Sequence, residues 1–162
     1  MAQTAREIFV VGLRNAHGME TQARELMERQ SERLDEYPEV KAKVAAHLQE
    51  TNEQLKRLEQ CLDALGEGTS TLKDTAQSVM ANVLAMTHAV AGDEILKNSF
   101  ANNAFENFEI AAYKSLLALC GPAGSEDARP HLQASLQMAR WIDANVEKVT
   151  LAYLNREVRA AA

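Results

Sequence analysis

Aromatic residues make up only 5% of this chain, and it holds just seven glycines and three prolines. Alanine, leucine, glutamate and glutamine are plentiful instead, which favours helix over strand. The two cysteines, Cys61 and Cys120, fit neither a zinc-binding spacing nor a disulfide framework. They read as buried thiols in a reducing cytoplasm. No cluster of basic residues occurs, and the net charge is −6. Nucleic-acid binding needs clustered Lys and Arg, and the two arginines of "NREVRAAA" near the C-terminus are too few. A membrane-spanning helix would need about 18 or more apolar residues with almost no charge, and no such run exists. The stretch "MAQTAREIFV" also lacks the layout of a secretory signal.

The 162 residues are 46% apolar and 25% charged, as in soluble globular proteins. One domain covering 1–162 is expected. Breakers cut the chain at "LDEYP", "GEGTS", "AGD" and "GPAGSEDARP", leaving five helical segments. Thr4 and Glu7 have the spacing of a capping box. Asp93 suits a helix start, Gly66 and Gly121 suit left-handed helix stops, and Pro130 suits a first helical turn.

Each segment carries an apolar stripe at helical spacing. The first, about 4–34, reads Phe9, Leu13, Ala16, Glu20, Ala23, Met27. The second, about 38–65, reads Val40, Val44, His47, Thr51, Leu55, Leu58, Leu62, Leu65. The third, about 72–90, is short and reads Leu72, Ala76, Val79, Val83, Met86, Val90. The fourth, about 94–120, reads Ser99, Asn102, Glu106, Glu109, Tyr113, Leu116, Cys120. The last, about 128–158, reads Leu132, Ser135, Ala139, Ile142, Val146, Val149, Tyr153. A 27-residue helix spans about 40 Å. Four rods of this kind pack as a bundle, with the short segment in the crossover.

Polar residues interrupt these stripes. Glu20, Glu106 and Glu109 fall on inward positions of two segments, His47 falls on a third, and Glu50 lies one turn from His47. An unpaired buried charge costs several kcal/mol, whereas a whole domain is stable by about 5–15 kcal/mol. These carboxylates therefore face water, carry protons, or are neutralised by cations and hydrogen bonds. A divalent metal neutralises them efficiently, and carboxylate plus imidazole suits iron, manganese or zinc. Partners such as Arg, Lys or Tyr113 are the plainer alternative.

The stretches "LRNAHGMETQ", "AAHLQETNEQLKRLEQ" and "FENFEIAAY" resemble the ferritin-like YciE/YciF proteins, in order and with similar spacing from about residue 5 to 155. That family shows A-E-K/Q, H-L-E-E-T and E-H-Y-E-I-A-A-Y elements on the corresponding helices. The resemblance implies an all-α, ferritin-like four-helix bundle with a short additional crossover helix. It further implies a homodimer, a link to bacterial stress responses, and a carboxylate-rich metal site at Glu20, His47, Glu50, Glu106 and Glu109. Several positions depart from the pattern. Asn107 replaces a histidine, Met138 and Ala139 replace a glutamate pair, and Ser78 and Asn82 replace glutamates of the short segment. The stretch "KNSFANNAF" is about two residues longer.

Three functions are consistent with these residues. One is a metal protein holding iron or manganese in a depleted site that leaves positions open to oxygen or peroxide. The alternative is a structural or interaction bundle without metal, acting through dimerisation or a protein partner. Its outward apolar candidates are Ile8, Leu96, Phe100 and Phe108, whose other explanation is packing against flanking helices. The third is haem held by methionine at a two-fold axis, although single helical methionines are usually core filler. No assembly into a cage is expected.

Overall fold

The computed structural model describes residues 2–35, 38–68, 94–143 and 151. Within them lie four α-helices: α1 (Ala5–Ser31), α2 (Pro38–Ala64), α3 (Glu94–Leu119) and α4 (Arg129–Asp143). A 3-10 turn, Glu126–Ala128, precedes α4. No strand occurs among the described residues. None of the described helices is long and apolar enough to cross a membrane. The expected short helix at about 72–90, with Ser78, Asn82 and the Asp93 cap, lies outside the described residues. So does most of the expected helix beyond Asp143.

Helix ends follow local chemistry. At the start of α1, the Glu7 N–H donates to Thr4 Oγ1 at 3.2 Å and the Thr4 N–H donates to Glu7 Oε2 at 2.7 Å, a complete capping box. Behind α2, Gly66 takes φ 73, so Gly66 N–H reaches Asp63 O and Glu67 N–H reaches Leu62 O. These two bonds form a Schellman stop. The same motif follows α3, but not at the expected Gly121. The left-handed residue is Gly124, φ 67, with Ser125 N–H on Cys120 O and Gly124 N–H on Gly121 O. The turn thus runs on through Gly121, Pro122 and Ala123 before the chain reverses. Pro130 lies in the first turn of α4, as expected.

The helices pair as two antiparallel hairpins, α1 with α2 and α3 with α4. Arg6 Nη2 donates to Leu65 O at 2.8 Å, so α2 ends beside the start of α1. Gln30 and Asn102 exchange amide hydrogen bonds of 3.1 and 3.3 Å, so the beginning of α3 lies beside the end of α1. The connection between α2 and α3 therefore begins and ends at opposite ends of the bundle. One such long connection is the mark of a ferritin-like topology.

A polar layer interrupts an apolar core, which resumes beyond it at Ala23, Met27 and Phe105. Around the start of α1, Phe9, Leu13, Leu58, Leu62, Leu116, Cys120, Leu132 and Leu136 are buried together. At mid-height, Glu20, Thr51, Gln54, Glu106, Glu109 and Ser135 are buried instead. The first half of α2 is less covered, with Val40, Val44 and His47 only half-buried.

Candidate metal centre

The three inward glutamates are as deep as any core leucine. Relative exposure is 0% for Glu20 and Glu109 and 1% for Glu106. The i, i+3, i+7 spacing of Glu106, Glu109 and Tyr113 puts all three on one face of α3. Antiparallel packing brings Glu20 of α1 against that face. Tyr113 Oη donates to Glu20 Oε1 at 2.5 Å. From α2, Gln54 Nε2 donates to Glu109 Oε2 at 3.4 Å, near the long limit for a hydrogen bond. One oxygen of each of these two carboxylates is thereby held. The other two, Glu20 Oε2 and Glu109 Oε1, are buried without a hydrogen-bond partner.

His47 Nε2 lies 2.8 Å from Glu106 Oε1, although the contact lacks hydrogen-bond geometry. A charged pair at that distance would raise the imidazole's pKa. Burial outweighs everything else and pushes it down to about 4, with Glu50 opposing. The ring is therefore neutral at pH 7, with a nitrogen available as a ligand. Glu50 stands beside His47 at the edge of the cluster, partly exposed, and its pKa is raised by burial. For Glu20, burial and then the neighbouring Glu109 raise the pKa well above the carboxylate range, against the Tyr113 hydrogen bond. Burial and Glu106 do the same for Glu109, against Gln54. Without a cation, both are pushed towards the protonated form.

Among its described side chains, α4 brings no carboxylate to this layer. Ser135 and Ala139 occupy its buried positions. Met138 is half-buried and its Sδ accepts from Arg57 Nη1 at 3.1 Å. Asn107 is exposed and its Nδ2 donates to Asn103 O at 3.0 Å, so it lies outside the cluster. Among the described residues, no three His, Cys, Asp or Glu side chains stand close enough to hold an ion as they are placed. The stripes include Ser135 without assigning it to the polar layer, and they omit Gln54 altogether. Gln54 follows His47 by seven residues and Thr51 by three, so its place on the inner face was readable from spacing alone.

The comparisons with known proteins agree with this architecture. A family model described as a domain of unknown function, DUF892, matches residues 4–159. A solved structure of a protein from Xanthomonas campestris pv. campestris is 28% identical, with 95% of this chain and 99% of that one covered and a TM-score of 0.70. YcfI from Rhodopseudomonas palustris is 22% identical, with coverage of 90% and 94% and a TM-score of 0.73. The stress protein YciF of E. coli is 19% identical, with coverage of 95% and 99% and a TM-score of 0.79. The chain belongs to the DUF892 family and is a helical bundle of the YciF type.

Proposed function

We propose that this protein is a metal-binding, ferritin-like bundle that takes one iron or manganese ion per chain. Glu20, His47, Glu106 and Glu109 would hold it, with Glu50 at the rim beside His47. The observation that carries this reading is the pair of buried oxygens without hydrogen-bond partners, Glu20 Oε2 and Glu109 Oε1, beside a neutral imidazole. Carboxylate and imidazole donors suit these metals. Two metals would need bridging carboxylates from all four helices, and α4 offers Ser135 and Ala139.

Bound iron would supply electron transfer to oxygen or peroxide. The chain's own part is to release the protons of Glu20 and Glu109 as the cation arrives, to keep His47 neutral, and to exclude bulk water from the layer. YciF of E. coli is described as a stress protein. A role in stress is part of this proposal, as are a cytoplasmic setting, which suits two free thiols, and a homodimer. Phe108 and Ile8, 54% and 42% exposed, are the candidates for the dimer surface. The side chains of Leu96 and Phe100 lie outside those described.

The test is elemental mass spectrometry on protein expressed with iron and manganese supplied. About one ion per chain, lost in Glu20→Ala and Glu109→Ala, supports the reading. A second reading, an interaction bundle that has lost its metal, is favoured by the absence of a carboxylate among the described buried side chains of α4. It predicts well-folded, metal-free protein in the same experiment.

A further inference from the structure

We infer that Tyr113 and Gln54 are positioning residues of this cluster: each fixes one oxygen of a carboxylate from another helix and leaves the opposite oxygen for the cation. The inference rests on the metal reading above. Tyr113 of α3 holds Glu20 of α1, and Gln54 of α2 holds Glu109 of α3. In both carboxylates the second oxygen is fully enclosed and has no hydrogen-bond partner.

That pattern occurs twice, through different donors on different helices. A purely structural polar network satisfies both oxygens of a buried carboxyl group, because an unsatisfied buried acceptor is costly. Here the donors stop at one oxygen each. Neither Tyr113 nor Gln54 is a carboxylate, so neither adds charge to a layer that already carries three glutamates. Both are themselves buried, Gln54 at 1% exposure and Tyr113 at 0%, so their rotamers are set by packing. Outer partners of this sort orient ligands and tune their basicity, and their loss typically weakens metal binding about 10–100-fold.

The experiment titrates the metal-free full chain with Mn(II), following the free and bound ion by electron paramagnetic resonance. Wild type, Tyr113→Phe and Gln54→Leu are compared, and the melting temperature of each metal-free protein is recorded. Tyr113→Phe keeps the buried ring and removes only the donor. Gln54→Leu removes a donor on a different helix, so one variant decides if the other does not fold. The expected result is Mn(II) affinity about 10–100-fold weaker in each folded variant, with an altered spectrum of the bound ion. Unchanged affinity and spectrum in folded variants overturn the positioning role while leaving the metal reading intact. Weaker binding that tracks a lower melting temperature, with the bound spectrum unchanged, overturns it as well. Wild type that takes up no Mn(II) overturns the metal reading, and this inference with it.

Discussion

Replacing Glu20 by glutamine changes the pH dependence of stability in the metal-free protein. Glu20 and Glu109 have folded-state pKa values well above 4.5, raised chiefly by burial. Their contribution to stability is therefore complete below pH 4.5 and is lost as the pH rises through the folded-state values. In that window each group binds one more proton folded than unfolded, so each lowers stability by about 1.4 kcal/mol per pH unit. The two titrate as a coupled pair. Glutamine mimics the protonated carboxyl group in size, and its oxygen can still accept from Tyr113. Glu20→Gln is thus expected within about 1 kcal/mol of wild type at pH 5 and progressively more stable towards pH 8, gaining up to about 1.4 kcal/mol per pH unit. Urea unfolding followed by circular dichroism, with a chelator present, measures this at four pH values. The difference between the two proteins cancels the exposed groups, such as Asp35 and Glu126, that titrate in both. Parallel curves for wild type and variant would refute the argument.

Three further outcomes follow from the packing. Thr4→Ala removes the capping box of α1 and is expected to lower stability by about 1 kcal/mol in the same unfolding assay. Leu58→Ala opens a cavity in the apolar core around the start of α1 and is expected to cost about 2–5 kcal/mol, with the helical spectrum retained. Burial pushes the Cys61 thiol up to about 11, and Cys120 is raised for the same reason. Both are expected to react with a thiol reagent only slowly until denaturant is added; prompt labelling of the native protein would show that this end of the bundle is open.

Much of the fold was legible because local chemistry and long-range packing agree here. The Thr4–Glu7 box and Gly66 mark helix ends by their own backbone requirements, so these bounds fall within a few residues of expectation. The stripes at helical spacing correctly placed Phe9, Leu13, Leu58, Leu62 and Leu116 inside, and Glu20, Glu106 and Glu109 with them. Gly121 misled because two glycines share one turn, and which of them becomes left-handed depends on how far the chain continues past Cys120. The partners within the polar layer were less legible. Spacing says that Gln54, Ser135 and Tyr113 face inward. It does not say that Tyr113 meets Glu20 while Gln54 meets Glu109, since that depends on the axial register of three helices. Asn107 shows the same limit from the other side: its neighbours in sequence are a buried glutamate and an exposed phenylalanine, and only the packed bundle puts it outside.

The central claim is that the buried carboxylates at mid-height, whose pKa values burial raises, form a cation site. Isothermal titration of the metal-free protein with Mn(II), repeated in two buffers of different ionisation enthalpy at pH 6.5 to about 7, tests it most directly by counting protons. About one ion is expected to bind per chain, with at least one proton released, and both are expected to be lost in Glu20→Ala/Glu109→Ala. Binding without proton release would place the ion on exposed carboxylates instead, and no binding at all would contradict the claim outright.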